Sequence, residues 1–352
     1  MNLPFSDHDH PETAFALAAV RAAARLTTRV RAEMPHAKIT KTDLSPVTVA
    51  DFAVQAYIAR ALAEAFPGDA LVGEERAAAL EADDGAAMRA LVAEFVREEA
   101  PDATEARVCA WIERGAGAAE GRFWVLDPVD GTKGYLRGGQ YAIAFALIED
   151  GVVQLGVLGC PGLDAQCRPA ENGPGALLVA RRGGGAWCGP LADGPGEFVQ
   201  LHASDCADAR RARLLRSFEA SHTNEGQIEA IAARLGLAAP PVLMDSQAKY
   251  AVLAAGGGEL MLRLLSPKQP DYKERIWDQA AGSIVVEAAG GRVTDLCGHP
   301  FDFSAGRLLE RNTGVFASNG PLHDAGLEAI AALGTGTSDP ALRGGDVPVL
   351  PS

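Results

Sequence analysis

Two aspartates mark the stretch of this sequence that is best suited to chemistry. Asp127 and Asp130 follow the apolar residues 123–126, and Pro128 and Gly131 are expected to end that strand within one turn. Two carboxylates at this spacing repel each other unless a cation lies between them, and a hard divalent ion such as Mg²⁺ prefers oxygen ligands. The pair therefore indicates either a metal site or an ordinary Asx-type turn, because D-x-x-D-G is also common at strand ends.

Further carboxylates stand at the ends of other apolar segments. Glu74 and Glu75 follow Gly73 at the end of one such segment, and Asp278 follows Trp277 at the start of another. Each has a simpler explanation when it is taken alone. Adjacent glutamates are usually surface charges, and an aspartate at the start of a helix is often an N-cap.

In this order, the motifs G-E-E, D-P-x-D-G-T and W-D-x-A-A-G resemble those of a known superfamily, the metal-dependent, lithium-sensitive phosphatases that include inositol monophosphatase and fructose-1,6-bisphosphatase. The similarity covers residues 38 to 321. The longer stretch at 127–141 is most similar to the 3′(2′),5′-bisphosphate nucleotidase branch. The resemblance implies an α+β fold, a layered αβαβα sandwich with two lobes.

The resemblance also implies a set of metal ligands. A first Mg²⁺ ion would be held by Glu74, Asp127 and the Val129 carbonyl. A second would be held by Asp127, Asp130 and Asp278, so that Asp127 bridges the two ions. Two ions about 3.5–4 Å apart can clamp a phosphoryl group during an in-line displacement. Two or three ions are expected in all, and Mn²⁺ is expected to substitute for Mg²⁺.

A proton relay is implied beside these ligands. In the family pattern, Asp51 and Thr132 take the proton of the attacking water, so that no covalent phosphoenzyme is needed. Glu75 would bind a further ion or hold a water. Two alternatives remain open: Thr48 and Asp51 have the T-x-x-D spacing of a capping box, and Thr132 could be an ordinary turn hydroxyl.

A second group of residues resembles the substrate site of the nucleotidases. The implied substrate-binding residues are Gly131, Thr132, His222, Ser246, Lys249 and Arg263. Ser246, Lys249 and Arg263 would converge on a non-reacting phosphate, because cations and a helix N-terminus favour anions. His222 would approach the base. The alternatives are surface cations on an amphipathic helix and a surface histidine, and Gln279 departs from the His that the nucleotidases often have.

The resemblance favours hydrolysis of adenosine 3′,5′-bisphosphate to AMP and phosphate, with phosphoadenylyl sulfate as a further candidate substrate. An inositol or sugar phosphatase would use the same chemistry but would have less need of Lys249 and Arg263. A non-catalytic metal or nucleotide sensor would not require the complete set of ligands that this sequence retains.

The elements that must position these residues follow from periodicity and turn signals. The N-terminal half predicts a helix from Pro11, a second helix that ends near Phe66, a helical segment at 76–121 and two hairpins at 141–158 and 177–187. The C-terminal half predicts helices at 225–235, 246–255 and 278–289, and strands at 259–265 and near residues 293 and 315. We expect an N-terminal lobe at 1–195 that includes a mobile segment at 76–121, a C-terminal lobe at 196–333 and a disordered tail at 334–352.

Composition excludes several classes of protein. The formal net charge of −14 argues against a surface that binds a nucleic-acid polymer. The six cysteines form no C-x-x-C pair, which indicates neither a zinc knuckle nor a disulfide framework. The N-terminus resembles no signal peptide, and no apolar run is long enough to cross a bilayer. We expect a cytoplasmic protein with a small-molecule nucleotide bisphosphate as its partner, and the sequence indicates no oligomeric state.

Overall fold

The computed structural model describes residues 10–34, 45–82, 84–170, 173–193, 196–218 and 224–334. Its α-helices are α1 (Pro11–Glu33), α2 (Pro46–Ala65), α3 (Ala78–Glu81), α4 (Ala86–Glu99), α5 (Glu105–Glu113), α6 (Thr132–Leu136), α7 (Glu225–Leu235), α8 (Ala248–Ala254), α9 (Ala280–Ala288) and α10 (His323–Ala332). Its strands are β1 (Ala70–Gly73), β2 (Arg122–Asp130), β3 (Ala142–Glu149), β4 (Val152–Cys160), β5 (Ala176–Arg181), β6 (Gly185–Pro190), β7 (Val199–Gln200), β8 (Leu214–Arg216), β9 (Val242–Leu243), β10 (Leu260–Arg263), β11 (Arg292–Thr294) and β12 (Val315–Ser318).

The strands form two sheets. The first has seven strands in the order β1-β2-β3-β4-β5-β6-β7, and its neighbours are antiparallel except for the parallel pair β1 and β2. Both predicted hairpins are confirmed as β3–β4 and β5–β6. Asp150 and Gly151 turn the first hairpin with positive φ angles of 50° and 75°, the backbone that a tight two-residue turn requires. The second sheet has five strands in the order β11-β12-β10-β8-β9.

Helices cover both sheets and separate them. Helices α1, α2, α4 and α5 form one apolar core with the outer face of the first sheet, and α8 and α9 lie in the core between the sheets. Helices α7 and α10 close the far face of the second sheet. The predicted αβαβα sandwich is therefore confirmed, with its layers held together by three apolar clusters.

The predicted helical segment at 76–121 contains α3, α4 and α5. Val92 and Phe95 of α4 are buried, and both α4 and α5 pack against α2. Short elements such as β8, β9 and α10 were not predicted. The first sheet continues through Gln200, past the boundary expected at residue 195, while the division into lobes stays a prediction.

The start of α2 corrects one interpretation. Ser45 is its N-cap, and its side chain accepts a hydrogen bond from the Thr48 backbone N–H at 3.2 Å. Thr48 therefore lies inside the helix, and the capping-box interpretation of Thr48 and Asp51 was wrong. Among the described residues, no helix combines the length and apolarity that a membrane span requires. His222 and the tail at 334–352 lie outside the described residues, apart from Gly334.

Candidate active site

A β-bulge places the two central aspartates on the same face of the first sheet. Asp127 pairs with Ala144 and Asp130 with Ala142, so β2 takes three steps where β3 takes two. In a regular strand, residues three apart point to opposite faces, and the extra residue of a bulge cancels that difference. Pro128 and Gly131 were expected to end the strand within one turn, and β2 ends at Asp130, directly before Gly131. The strand passes Pro128 because a bulge tolerates a residue without a backbone N–H.

The burial of neighbouring side chains supports this geometry. Trp124 and Leu126 belong to the core outside the first sheet, whereas Phe123 and Val125 belong to the core between the sheets. Val129, after the irregularity, returns to the outer core. Leu126 and Val129 thus face the outer core, and the side chains of Asp127 and Asp130, which follow them, face the layer that contains α8 and α9.

Two further carboxylates reach the same place from different elements. Glu74 follows β1, whose last residue, Gly73, pairs with Leu126 beside Asp127. Asp278 comes from the loop before α9. The helix begins only at Ala280 with Gln279 at the N-cap position, so the N-cap interpretation of Asp278 was wrong.

The grouped carboxylates are poorly compensated without a cation. Burial raises the pKa of Asp127 well above its usual range, and the charges of Glu74, Asp130 and Asp278 raise it further. The Asp127 side chain is 3% exposed, and its buried Oδ1 has no hydrogen-bond partner among the described residues. Burial and the Asp130 charge likewise raise the pKa of Asp278. Oxygen-only donors with one orphaned buried oxygen fit a hard divalent cation such as Mg²⁺.

Asp51 and Glu75 extend this negative region on the side of α2. Burial raises the pKa of Asp51 well above its usual range, with further contributions from Glu75 and Glu74. Burial and the Glu74 charge raise the pKa of Glu75 to about 7. The backbone of Glu75 is fixed by buried Gln55, which accepts from its N–H at 2.9 Å and donates to its carbonyl at 2.8 Å. Glu75 is half-buried and fixed through its backbone, whereas Glu74 is exposed, so the surface-charge interpretation fails for Glu75 only.

Gly131 and Thr132 connect the bulge to the short helix α6. Gly131 has a φ of 90°, and a Cβ at this position would lie 2.7 Å from Cβ of Ser246. The position therefore accepts only glycine without rearrangement. Thr132 opens α6, which packs against α2, the helix of Asp51. No hydrogen bond joins Asp51 and Thr132 in the described part of the chain, and their relay stays a prediction.

The predicted phosphate-binding residues line the same cavity as the carboxylates. Lys249 Nζ donates to Ser217 Oγ at 3.1 Å, and its charge lowers the pKa of Asp130 against the larger effect of burial. Arg263 pairs with buried Glu274 at 3.1 Å and comes within 3.9 Å of Asp278. Both cations line the cavity, so the surface-cation alternative does not describe them.

The cavity has a volume of about 470 Å³, within the range of small-molecule sites. Apart from Asp51, Glu75 and the undescribed His222, all of the predicted site residues line it: Glu74, Asp127, Val129, Asp130, Gly131, Thr132, Ser246, Lys249, Arg263 and Asp278. Ser246 has a φ of 66°, an uncommon conformation for a residue other than glycine that often occurs at functional sites.

Two glutamines that sequence interpretation left without a role fix the geometry of this cavity. The Gln247 backbone N–H donates to Asp130 Oδ2, and its side-chain amide donates to the Trp277 carbonyl at 3.0 Å. Gln279 donates to Glu274 at 2.9 Å and accepts from the Tyr250 hydroxyl. Gln279 thus provides an amide that satisfies both neighbours.

Arg307 was also missed, because it lies in a loop without a recognisable motif. Its guanidinium donates to the carbonyls of Gly73 and Gly115, the latter at 3.1 Å, and lies 4.8 Å from the ring centroid of Trp277. Gly73 precedes Glu74, and Trp277 precedes Asp278. Arg307 therefore connects the loops that carry Glu74 and Asp278, which lie far apart in the sequence.

Comparison with known proteins gives the family of the chain. A sequence model of the inositol monophosphatase family matches residues 8–332. A protein of Schizosaccharomyces pombe named 3'(2'),5'-bisphosphate nucleotidase is 40% identical over 340 residues, which cover 92% of this chain and 95% of that protein. A protein of the same name from Emericella nidulans is 39% identical over 336 residues, which cover 89% of this chain and 95% of that protein.

Solved structures agree on the fold. An inositol monophosphatase from Thermotoga maritima matches with a TM-score of 0.58 at 20% identity, over 92% of this chain and 97% of that chain. SuhB from Mycobacterium tuberculosis matches with a TM-score of 0.57 at 23% identity, over 94% of this chain and 98% of that chain.

Proposed function

Because the chain belongs to the inositol monophosphatase family, we propose that it is a Mg²⁺-dependent phosphomonoesterase that hydrolyses adenosine 3′,5′-bisphosphate to AMP and phosphate. Phosphoadenylyl sulfate carries the same 3′-phosphate and is proposed as a second substrate. The printed names of relatives that are about 40% identical support a nucleotide bisphosphate as the substrate.

One observation carries this proposal: a single cavity is lined by both a group of carboxylates and two cations. Glu74, Asp127, Asp130 and Asp278 line it together with Lys249 and Arg263, and Arg263 comes within 3.9 Å of Asp278. A substrate with two phosphates has one group to react and one to anchor. The arrangement matches that division, because cations attract the anchored phosphate and carboxylates do not.

The carboxylates and the Val129 carbonyl are the residues that would hold Mg²⁺. When bound there, Mg²⁺ would supply Lewis-acid chemistry that lowers the pKa of water and offsets the charge of the phosphoryl group. The protein contributes the fixed geometry of the donors: the bulge and Arg307 hold backbone segments in place, and the Gln247 N–H donates to the Asp130 carboxylate.

Proton transfer is assigned to Asp51 and Thr132. The Thr132 hydroxyl accepts the proton of the attacking water and passes its own proton to Asp51. Burial raises the pKa of Asp51, which makes this carboxylate a better proton acceptor than a solvated aspartate. The AMP oxygen that leaves the reacting phosphate takes up a proton from solvent, and the anchored phosphate keeps the nucleoside in place.

The substrate is tested by comparing kcat/KM in the presence of Mg²⁺ for three compounds: adenosine 3′,5′-bisphosphate, inositol 1-phosphate and fructose 1,6-bisphosphate. We expect the nucleotide to be preferred. A preference for inositol 1-phosphate or the sugar bisphosphate would reject the nucleotidase proposal and leave a phosphatase of another substrate class. No phosphate release from any of them would favour a non-catalytic protein.

Lys249→Ala tests the anchoring cation. A charge-assisted contact with phosphate contributes about 1.5–3 kcal/mol, so kcat/KM for the bisphosphate should fall about ten- to a hundredfold while turnover of 3′-AMP changes little. Lys268→Ala is the matched control, because Lys268 is exposed and does not line the cavity. An equal loss on both substrates would contradict the anchoring role.

Arg263 needs a milder substitution. Arg263→Ala would leave Glu274, which is 2% exposed, without its ion pair, and such a change can destabilise the protein by itself. Arg263→Lys keeps the charge but loses the planar fork that contacts Glu274 and Tyr272. We expect it to reduce bisphosphate turnover more than 3′-AMP turnover.

A further inference from the structure

A cluster of metal-binding side chains lies outside the cavity just described. Asp295, Cys297 and His299 occupy one tight turn after β11, and one ligand atom from each lies within 4.8 Å of the other two. None of the three lines the large cavity. The alternating D-x-C-x-H spacing is not that of a zinc knuckle, so the count of C-x-x-C pairs in the sequence could not reveal it.

The turn is closed and holds Asp295 in a fixed orientation. The Asp295 N–H donates to the His299 carbonyl at 2.8 Å. Oδ1 of Asp295 accepts from the N–H groups of Cys297 and His299, both at 2.9 Å. Carboxylates that bind metals are typically held in this way through hydrogen bonds to the oxygen that does not ligate.

The second oxygen of Asp295 is held more loosely than the first. Oδ2 accepts two long hydrogen bonds, from the Thr313 N–H at 3.3 Å and from Asn312 Nδ2 at 3.4 Å, which an ion would replace or lengthen. Oδ2 lies 3.6 Å from His299 Nδ1. In a tetrahedral zinc site with bonds of about 2.0–2.3 Å, ligand atoms are about 3.3–3.6 Å apart. The separation of this pair therefore already suits a shared ion.

We propose that Asp295 Oδ2, Cys297 Sγ and His299 Nδ1 form a Zn²⁺ site, with water in the fourth position. A thiolate, an imidazole and a carboxylate together favour Zn²⁺, whereas Mg²⁺ and Ca²⁺ select oxygen donors. Cys297 and His299 are exposed and Asp295 is 1% exposed, so an ion can enter from solvent and reach an anchored ligand. Binding releases the thiol proton to solvent.

Cobalt(II) is the probe, because a cysteine thiolate bound to Co²⁺ gives a charge-transfer band in the near ultraviolet that carboxylate sites do not give. The reduced, full-length protein is titrated with Co²⁺ in excess Mg²⁺, which is added to fill the proposed site in the carboxylate cavity. We expect a band that saturates at one ion per chain and disappears when equimolar Zn²⁺ is added. Absence of the band, or failure of Zn²⁺ to displace Co²⁺, would overturn the proposal.

Variants assign the ligands. Cys297→Ser should abolish the band, and His299→Ala should weaken Co²⁺ binding at least about tenfold. Cys206→Ser, which changes another cysteine that is not fully buried, and Asp127→Asn, in the cavity, should leave the band unchanged. A band that survives in Cys297→Ser, or unaltered affinity in His299→Ala, would refute this set of ligands. Circular dichroism checks that each variant is folded, and Cys297→Ser should keep phosphatase turnover in Mg²⁺.

Discussion

Replacing Arg307 by alanine should loosen the metal site while leaving every predicted ligand in the chain. Arg307 donates hydrogen bonds to the carbonyls of Gly73 and Gly115 and stacks near Trp277. Through these neighbours it fixes the loops that carry Glu74 and Asp278. Arg307 is therefore a positioning residue, and its removal should change the binding of Mg²⁺ more than the chemical step.

The energetic cost can be worked out from the contacts. Two hydrogen bonds from a charged donor contribute about 3–6 kcal/mol together, and the aromatic contact adds about 1 kcal/mol. Against this, burial and the charges of Arg76 and Arg275 lower the pKa of Arg307 to about 10, so desolvation and like-charge repulsion offset part of this gain. Arg307→Ala should therefore lower the free energy of unfolding by less than these contacts alone contribute, by about 1–4 kcal/mol.

The direction of the change in Mg²⁺ affinity separates two explanations. Removing a positive charge near carboxylates would by itself tighten Mg²⁺ binding, whereas loosening the ligand loops would weaken it. We expect the half-saturating Mg²⁺ concentration to rise about tenfold in Arg307→Ala, with a smaller fall in kcat at saturating Mg²⁺. Arg307→Lys, which keeps the charge but not the fork, should also weaken binding.

The measurements are Mg²⁺ titration of phosphate release, calorimetric Mg²⁺ binding and denaturant unfolding with and without Mg²⁺. Arg311→Ala is the matched control, because Arg311 lies in the same loop but pairs with Asp302 at the surface. Unchanged or tighter Mg²⁺ binding in a folded Arg307→Ala protein would refute the positioning role. It would leave Arg307 as a residue that stabilises the fold alone.

Three further predictions follow from the structure. Asp127→Asn should lower turnover at least about a hundredfold. It should nevertheless raise the free energy of unfolding in EDTA, because it removes a carboxylate that its neighbours repel. A lower free energy of unfolding in EDTA would contradict this reasoning. Gly131→Ala should destabilise the protein more than Gly138→Ala in thermal melts, since both have positive φ but only a Cβ at 131 would meet Ser246 at 2.7 Å. Burial, assisted by the charge of Arg292, lowers the pKa of His323 to about 4. Below pH 6.5 the unfolded chain therefore binds more protons than the folded protein. The free energy of unfolding should fall by up to about 3 kcal/mol as the pH drops from 6.5 through 4. Denaturant unfolding of His323→Gln should lack that component, and identical pH profiles would reject it.

The parts of the site that could be predicted from sequence are those encoded locally. The motifs that contain Glu74, Asp127 and Asp278 are short runs of neighbouring residues that resemble those of a phosphatase superfamily, and the structure brings all three residues to one cavity. The hairpins were predictable for the same reason: turn residues and apolar alternation lie within a few positions of each other.

The parts that escaped prediction depend on partners far away in the chain. The bulge between Asp127 and Asp130 is a property of the pairing with β3, and no pattern within β2 reveals the register. Arg307 and Gln55 act through backbone carbonyls and amides of other segments, and such contacts accept many side chains and leave no motif. The T-x-x-D spacing indicated Thr48 as a cap, whereas the observed start of α2 makes Ser45 the N-cap.

The position of α8 and α9 late in the sequence affects how the protein folds during its synthesis on the ribosome. One face of the first sheet, with Val125, Ile148 and Leu158, is covered by α8 and α9, which emerge after all seven of its strands. Until α9 leaves the exit tunnel, that apolar face has no native cover and can associate with other nascent chains. We expect a fragment that ends near Gln200 to aggregate when it is expressed alone. Co-expression of the remaining chain, which carries the missing helices, should restore its solubility.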